Sequence, residues 1–245
     1  MSSISKNDQS VFRFQQFEIR HDRCAMKVGT DGVLLGAWVG CSYSEWILDV
    51  GTGSGLIAMM LAQRNSNAQI LGIDIDAEAV GQAQENFERS AFAHRLSTER
   101  VDFAQGPFVA SLQAFDLIVS NPPFFTEDTV APDSARATAR SSSSLPFDVL
   151  IEHAAKLLSP QGHFAVIIPH SHAADFVLTA SVVGLHLLRR CDVQTSPRKP
   201  MRRAMLEFGM ETGQTTFETI CLHNADGTIS DAYRKLTADF YLNIK

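Results

Sequence analysis

The stretch WILDVGTGSGLIAMMLAQR, residues 46–64, decides the fold class of the chain. Its first part, WILDV, is apolar and rich in strand-favouring residues, whereas LIAMMLAQR has apolar residues at helical spacing. Between them, Gly51, Gly53 and Gly55 allow the backbone to turn tightly and to approach a ligand closely. Open α/β sheets hold nucleotides at such glycine-rich turns from a strand into a helix, so the stretch predicts this type of sheet with a ligand site at the turn.

Strand and helix patterns alternate through most of the remaining chain. Further strands are predicted at 68–75, within 97–105, at 115–120 and at 163–169, and helices at 77–90 and 147–158, the second stopped by SPQG at 159–162. Short connections favour a doubly wound, mostly parallel α/β sheet. Residues 184–193 and 202–210 are expected to extend it to seven strands as a hairpin. Residues 230–242 are expected to close the chain as a helix, with Ser230 or Asp231 as N-cap.

Composition narrows the class of protein. Of the 245 residues, 45% are hydrophobic, which is enough for a sizeable core. No apolar run reaches the roughly 18 residues of a membrane helix, and the N-terminus has no apolar secretory segment, so we expect no membrane segment and no secretion. We further expect the protein to be cytoplasmic and monomeric. The four cysteines are widely spaced, which favours free thiols and no metal site. A net charge of −6 means that any nucleic-acid contact must come from local basic clusters.

The glycine turn itself discriminates between kinds of nucleotide site. It does not fit the dinucleotide pattern G-x-G-x-x-G because residue 56 is Leu, and it lacks the lysine of a phosphate-binding P-loop. Residues 49–55, DVGTGSG, resemble instead the first motif of S-adenosylmethionine-dependent methyltransferases, D/E-x-G-x-G-x-G. The resemblance implies a sheet of the class I methyltransferase type with S-adenosylmethionine as cofactor. The cofactor-binding residues that it implies in this turn are Asp49, Gly51, Gly53 and Gly55.

A second part of the cofactor site is expected at the end of the next strand. Asp74, in GIDID, is placed to accept hydrogen bonds from both ribose hydroxyls, although a simple helix cap is the alternative. Asp76 is the other candidate, but its position favours capping the following helix. Methyltransferases often place a further acid after the third strand, where this chain has Pro107. Asp102 is a possible substitute, so the contact to the cofactor's adenine stays open.

IVSNPPFF, residues 118–125, follows the apolar strand pattern of 115–120. Prolines fix φ and remove N–H donors, so the side-chain oxygen of Asn121 and the carbonyl of Pro122 could both accept from one planar amino group. Such a pair of acceptors would orient the nitrogen lone pair for attack without a strong base. Phe124 could stack on the substrate ring. The structural alternative is a hydrophobic turn that ends the strand.

The tetrapeptide NPPF resembles the [DNS]-P-P-[YFW] motif of amino-methyltransferases. The resemblance implies that Asn121, Pro122 and Phe124 are catalytic, with Asn121 also beside the cofactor. It does not distinguish between adenine N6, guanine N2, cytosine N4 and a glutamine amide as the methyl acceptor.

The N-terminal segment narrows the choice of acceptor. Residues 12–38, FRFQQFEIRHDRCAMKVGTDGVLLGAW, resemble the head of the bacterial tRNA1(Val) (adenine(37)-N6)-methyltransferases. Residues 47–64, 77–90 and 232–242 also match that family's pattern, so the resemblance covers nearly the whole chain. It implies methyl transfer to N6 of the adenine just 3′ of the anticodon of a valine tRNA. A stacked anticodon-loop base would have to be turned out to reach Asn121.

We interpret residues 1–40 as an N-terminal extension that covers the cofactor and substrate cleft, and residues 41–245 as the S-adenosylmethionine-binding methyltransferase domain. Thr30 or Asp31 could cap the helix GVLLGAW, which would place KVGTDG over the methionine end of the cofactor. Lys27 and Thr30 are therefore expected cofactor residues. Whether Lys27 pairs with the cofactor carboxylate or with RNA phosphate stays open.

Phosphate contacts to the tRNA anticodon loop are expected from local basic clusters. The expected RNA-binding residues are Arg23, Arg136, Arg140, Arg198, Lys199, Arg202 and Arg203. The last four belong to PRKPMRR, residues 197–203, which we interpret as a hairpin bend, with a solvated turn as the alternative. Arg136 and Arg140 belong to residues 126–146, which are interpreted either as a substrate lid or as an exposed loop.

Three alternatives to the tRNA enzyme remain from the sequence. A ribosomal guanine-N2 methyltransferase shares the Phe of NPPF but usually carries a duplicated domain. A protein glutamine-N5 methyltransferase would need a helical N-terminal domain. An inactive RNA-binding assembly module is the third, and the intact NPPF motif does not favour it.

Overall fold

A computed structural model describes residues 10–24, 26–105, 114–123 and 145–242 of the chain. The strands in those ranges are β1 (Val11–Arg13), β2 (Glu18–Arg20), β3 (Trp46–Val50), β4 (Gln69–Asp74), β5 (Leu96–Arg100), β6 (Phe115–Ser120), β7 (Leu158–Pro169), β8 (His186–Gln194), β9 (Met201–Gly209) and β10 (Thr216–Cys221). The helices are α1 (Thr30–Trp38), α2 (Leu56–Arg64), α3 (Ala77–Glu88), α4 (Phe147–Leu157), α5 (Ala173–Val182) and α6 (Asp231–Thr237). None of the described helices is long and apolar enough to cross a membrane.

The central sheet has eight strands in the order β10-β8-β9-β7-β6-β3-β4-β5. Every neighbouring pair is parallel except the two pairs that involve β9. This confirms the predicted doubly wound, mostly parallel sheet. The strand order reverses between β3 and β6, and ligands of open α/β sheets bind at the carboxyl ends of the strands at such a reversal.

Both faces of the sheet are covered, which is why its central strands are apolar along their length. Ile47 and Leu48 are neighbours on β3, both fully buried, yet they belong to different cores. The first core lies under α1, α2, α3 and α6 together with the β1–β2 hairpin. The second core lies under α4 and α5.

Two details of the predicted sheet are wrong. The sheet has eight strands and not seven, because β10 was missed: Thr216–Thr219 are exposed, so this edge strand shows no apolar pattern. The fifth predicted strand begins at Leu158 and not at residue 163, since the chain passes from α4 directly into β7. The residues SPQG follow the end of the helix, as predicted, but they belong to β7. In this part of β7 the pairing with β6 shifts register between Phe115 and Leu117.

Helix starts follow the predicted capping chemistry in two cases out of three. The Ser230 hydroxyl accepts from the Tyr233 amide at the start of α6, and the Asp76 carboxylate accepts from the Glu78 amide at the start of α3. The predicted cap of α1 by Thr30 or Asp31 is wrong. This helix starts at Thr30, so its N-cap position falls on Gly29, which has no side chain to act as a cap, and the Asp31 carboxylate accepts from the Arg203 guanidinium instead.

The N-terminal segment is part of the first core. All residues from Gly32 to Trp38 of α1 are buried. The β1–β2 hairpin is joined to the chain's other end: Phe14 forms an isolated bridge with Tyr241, and the Gln15 side chain donates to the Ala238 and Tyr241 carbonyls. That residues 1–40 act as a separate covering unit stays a prediction.

Arg95 closes the carboxyl end of α2 from inside the protein. Its guanidinium donates to the carbonyls of Ala62, Asn65 and Ala68 at 2.9, 2.9 and 3.1 Å, and the residue is 8% exposed. These bonds satisfy carbonyls at the end of a helix, which would otherwise lack donors. One side chain thus fixes the turn between α2 and β4.

Arg95→Met is expected to lower the free energy of unfolding by about 2–4 kcal/mol, because it leaves buried carbonyls without hydrogen-bond donors. Arg100→Met is the matched control, since Arg100 makes one exposed bond to the Ile75 carbonyl; its cost should stay below about 1 kcal/mol. Urea unfolding measures both. Equal losses for the two variants would show that Arg95 does not play this part.

A hydrogen bond between His163 and Glu207 makes the stability of the protein depend on pH. His163 Nδ1 lies 2.8 Å from Glu207 Oε1, and the hydrogen bond to this buried carboxylate raises the pKa of His163. The folded protein therefore holds the proton more tightly than the unfolded chain. The resulting stabilisation is fully present below the unfolded-state pKa of about 6.5 and is lost as the pH rises through the folded-state value.

His163→Gln should accordingly reduce the free energy of unfolding at low pH and leave it unchanged well above the folded-state pKa. The His163 side chain is 43% exposed, so solvent screening should keep the difference below about 1 kcal/mol. Urea unfolding of both proteins from about pH 5.5 to about pH 9 measures it. A difference that does not change with pH would contradict this interpretation.

Candidate active site

The glycine turn between β3 and α2 has the backbone that its sequence predicts. Gly51, Gly53 and Gly55 have φ values of +72°, +56° and +82°, which side chains other than glycine rarely adopt. A Cβ on Gly51 or Gly53 would meet nothing within 4 Å, whereas a Cβ on Gly55 would lie 2.4 Å from Phe87. Gly51 and Gly53 therefore border open space that a ligand can fill, and Gly55 allows α3 to pack closely.

Asp49 stabilises this turn from the protein interior. Its Oδ2 accepts from the Thr52 hydroxyl at 2.7 Å and from the Ala58 amide at 3.2 Å, and the residue is fully buried. Burial raises the pKa of this carboxyl to about 7. A side chain enclosed in this way shapes the turn and does not face the open space, so a direct cofactor contact from Asp49 stays a prediction.

Asp74 ends β4 beside the same turn. Its Oδ2 accepts from the Gly53 amide and its Oδ1 from the Asp76 amide, each at 3.0 Å. Burial raises the pKa of Asp74, yet the side chain remains partly exposed. The carboxylate is thus fixed next to the glycine turn, in the position expected for a ribose contact.

The Asn121 corner begins one strand away. Val50 pairs with Ser120 across β3 and β6, and the Ser120 hydroxyl donates to the Val50 carbonyl at 2.9 Å. Gly51 follows Val50 directly, and Asn121 follows Ser120. The two predicted halves of the site therefore start from paired positions on adjacent strands.

Asn121 has an unused acceptor. Its Oδ1 is buried and accepts no hydrogen bond from any of the described residues. Pro122 is buried and Pro123 is exposed. A buried acceptor without a donor is unfavourable, so this oxygen is suited to accept from an N–H group of a ligand, and that contact stays a prediction. Phe124 lies outside the described residues.

The N-terminal segment reaches the same edge of the sheet. Lys27 and Thr30 are exposed there, just before and at the start of α1. Cys24 lies close enough to Asp74 for that carboxylate to contribute to its pKa, which burial first and then Asp74 and Asp76 raise to about 11. At neutral pH this thiol is protonated, which does not favour a cysteine nucleophile.

Asn86 links this segment to the glycine turn and was not identified from the sequence. Its Oδ1 accepts from the Arg20 amide, and its Nδ2 donates to the carbonyls of Arg20 and Ser54. The residue is 2% exposed. Asn86 and Gln82 are polar residues at the buried positions of α3 that Ala79, Ala83 and Phe87 mark by helical spacing, and this spacing is the signal that could have found Asn86. Its partners lie too far along the chain to be predicted.

The expected RNA-binding residues fall into three groups. Arg198, Lys199 and Arg202 are exposed in and beside the β8–β9 turn, as expected for a hairpin bend. Arg203 and Arg23 are engaged in ion pairs with Asp31 at 2.7 Å and Glu85 at 2.6 Å. Arg136 and Arg140, with most of the possible lid, lie outside the described residues.

Two further expectations concern the cofactor's adenine and metal ions. Pro107 lies outside the described residues, and Asp102 accepts from the Ala104 amide and the Gln105 side chain within its own turn. The adenine contact therefore stays open. In the described part of the chain, no group of three or more His, Cys, Asp or Glu side chains is arranged to hold a metal ion.

Solved structures show the same fold. The chain superposes on a predicted O-methyltransferase, Atu636 from Agrobacterium tumefaciens, with a TM-score of 0.68 at 18% identity, covering 86% of this chain and 96% of that one. It superposes on the CcbJ methyltransferase from Streptomyces caelestis with a TM-score of 0.56 at 13% identity, covering 78% and 96%. At these identities the likeness concerns the fold alone.

Sequence comparisons are more specific. The family model described as "Methyltransferase small domain" matches residues 33–191. The chain is 42% identical over 233 residues to the tRNA1(Val) (adenine(37)-N6)-methyltransferase of Yersinia pestis (strain Pestoides F), covering 95% of this chain and 94% of that protein. The enzyme of the same name from Yersinia pseudotuberculosis serotype O:3 (strain YPIII) is also 42% identical, with 95% and 92% covered. The chain therefore belongs to the family of tRNA1(Val) (adenine(37)-N6)-methyltransferases.

Proposed function

We propose that the protein transfers a methyl group from S-adenosylmethionine to the N6 amino group of adenine 37 in tRNA1(Val). The curated relatives carry this activity in their names. The observation that carries the proposal is the buried Oδ1 of Asn121, which lacks a donor among the described residues and lies one strand from the glycine turn. A planar amino group would supply the missing donor.

The residues at the turn fit S-adenosylmethionine, which supplies an electrophilic methyl group when it is bound. Gly51 and Gly53 leave open space above the turn. Asp74 offers carboxylate oxygens to ribose hydroxyls beside that space. Lys27 and Thr30 are exposed at the same edge, where we place the cofactor's methionine end.

Asn121 and Pro122 hold the methyl acceptor in this proposal. The Asn121 Oδ1 accepts one N–H of adenine N6, and the Pro122 carbonyl accepts the other. Two acceptors in these directions draw the nitrogen out of conjugation with the ring and turn its lone pair towards the glycine turn. An amide oxygen is a very weak base, so the proton lost after transfer passes to water. Phe124 would stack on the extruded base.

The Ser120 hydroxyl positions this corner. Its bond to the Val50 carbonyl ties the residue before Asn121 to the residue before Gly51. Methyl transfer tolerates little error in the separation of donor and acceptor, and displacements of about 1 Å can cost about 100-fold in rate. The paired strands therefore provide the fixed frame that the reaction needs.

In this proposal the tRNA backbone is bound by the basic hairpin, which we define as Arg198, Lys199 and Arg202. These three side chains are exposed at the carboxyl edge of the sheet, Arg198 and Lys199 on the connection that follows β8 and Arg202 at the start of β9. Because the net charge of the chain is −6, attraction to RNA depends on such a local cluster. A tRNA substrate would place the enzyme in the cytoplasm, and we expect it to act as a monomer.

Asn121→Ala should reduce methylation of tRNA1(Val) by at least about 100-fold, because it removes a hydrogen bond that orients the reacting nitrogen. Binding of S-adenosylhomocysteine, measured by calorimetry, should stay within about threefold of wild type. Single-turnover transfer to transcripts with adenine or guanine at position 37 measures the activity and its specificity. Activity of the variant within about tenfold of wild type would reject the assigned role.

The acceptor itself is tested by nucleoside mass spectrometry of tRNA and rRNA from cells with and without the gene. The proposal expects loss of N6-methyladenosine from one valine tRNA. Loss of N2-methylguanosine from rRNA would identify the guanine enzyme instead. Unchanged RNA together with loss of methylated glutamine would identify a protein substrate.

Replacing Arg198, Lys199 and Arg202 by Ala should weaken tRNA binding and reduce the slope of log K against log salt by about 2–3, since about one counterion is released per phosphate contact. The matched control replaces Arg89, Lys156 and Lys235, which are exposed near the carboxyl ends of α3, α4 and α6. Filter binding at several salt concentrations measures both. Equal slopes for the two triple variants would reject the basic hairpin as the RNA contact.

A further inference from the structure

We propose that the Asp31–Arg203 ion pair is a positioning contact that joins the strand of the basic hairpin to the glycine turn. The inference rests on the proposed function. It gives Arg203 a role different from that of its neighbour Arg202: Arg202 contacts RNA, whereas Arg203 holds the first turn of α1 beside the cofactor site.

The pair joins distant parts of the chain at the edge where ligands bind. Arg203 Nε donates to Asp31 Oδ2 at 2.7 Å, between residues 172 positions apart. Arg203 is paired with Pro169, the last residue of β7, so it lies at the carboxyl end of the parallel strands. The two side chains are 26% and 25% exposed, so solvent screens their attraction less than that of a fully exposed pair.

The other side of the same helical turn contacts the start of α2. A Cβ on Gly32 would lie 3.0 Å from Leu56 Cδ2, which shows how closely α1 approaches at this point. Leu56 is the first residue of α2 and follows Gly55 of the glycine turn. Asp31 and Gly32 therefore connect Arg203 on β9 to the glycine turn through two consecutive residues.

Strand geometry separates the roles of the two arginines. Successive side chains of a strand point to opposite faces of the sheet. Arg203 shares its face with Met205, which belongs to the first core under α1, whereas Arg202 has no paired position and lies where the register between β8 and β9 shifts. The Arg202 side chain is exposed and forms no ion pair with any described residue.

Electrostatics make Asp31 the residue on which the arrangement depends. The amino end of a helix carries partial positive charge, so an acidic side chain in the first turn is favourable and a nearby cation is not. Helix α1 has no side-chain cap, and Asp31 is the acidic residue of its first turn. Neutralising Asp31 would leave the Arg203 cation against the positive end of α1 and push this turn away from β9.

The expected consequence is a coupling between the two ligands. If the first turn of α1 forms one wall of the cofactor site, loosening it lowers cofactor affinity. A change at β9 on tRNA binding would then alter cofactor affinity, and by linkage the cofactor would alter tRNA affinity by the same factor.

The test compares Asp31→Asn, Arg203→Gln, the double variant, and the exchanged pair Asp31→Arg with Arg203→Asp. Each single variant should raise the Kd for S-adenosylhomocysteine and the KM for S-adenosylmethionine about tenfold, with kcat at saturating tRNA changed less than about threefold. The double variant should lose no more than either single one. The exchanged pair should recover only part of the lost affinity, because it restores the ion pair but places a cation at the positive end of α1.

Arg202→Gln is the matched control. It should leave the Kd for S-adenosylhomocysteine unchanged and reduce the salt slope of tRNA binding by about 1, whereas Arg203→Gln should do the reverse. Arg203→Lys, which keeps the charge, covers the case that Arg203→Gln does not fold, and its cofactor affinity should be intermediate. Thermal unfolding of each variant separates loss of affinity from loss of fold.

Three outcomes would overturn the inference: wild-type cofactor affinity in both single variants, additive losses in the double variant, or no recovery in the exchanged pair. Its failure differs from failure of the proposed function. Calorimetry with S-adenosylhomocysteine tests the role of the ion pair even if the wild-type protein methylates no tRNA. Methylation of tRNA by the wild-type protein tests the proposed function and does not depend on the role of the ion pair.

Discussion

The pairing of Val50 with Ser120 is the constraint on which the site depends. Two adjacent parallel strands end at the same level, one continuing into a glycine turn and the other into an Asn-Pro-Pro corner. Backbone hydrogen bonds hold such neighbours in a fixed register, and the Ser120 hydroxyl adds a bond at the last paired position of the two strands. A reaction that needs two ligands at van der Waals distance can thus be supported by groups that are not themselves reactive.

The site concentrates polar groups that the fold leaves incompletely satisfied. Asp49 is fully buried with one carboxylate oxygen lacking a partner among the described residues, and Asn121 has a donorless amide oxygen. Such groups oppose folding, and the surrounding apolar cores must compensate for them. The two residues differ in their surroundings: Asp49 sets the shape of the turn from within the protein, while in the proposed reaction the Asn121 oxygen accepts from the substrate.

The sequence predicts most of the sheet because parallel strands covered on both faces are apolar throughout, and β3 and β6 have the predicted bounds. It fails at β10, an edge strand whose first four residues are all exposed, so that they show no apolar pattern. In the site, the spacing of the glycines indicates a backbone with positive φ angles, so the turn could be predicted. The roles of Asn86 and Ser120 depend on partners 66 and 70 positions away, and Asp31 exchanges the expected local cap for distant Arg203. Roles assigned to Phe124, Arg136 and Arg140 stay predictions.

The bridge between Phe14 and Tyr241 has a consequence for synthesis of the protein. The ribosome makes the β1–β2 hairpin long before it makes part of the surface that receives it, since the Phe12 and Phe14 rings pack on Tyr241. Until Tyr241 has been translated, these aromatic side chains lack that partner. Chaperones and proteases act on exposed apolar surface, so a chain that stops before Tyr241 is expected to be recognised by them.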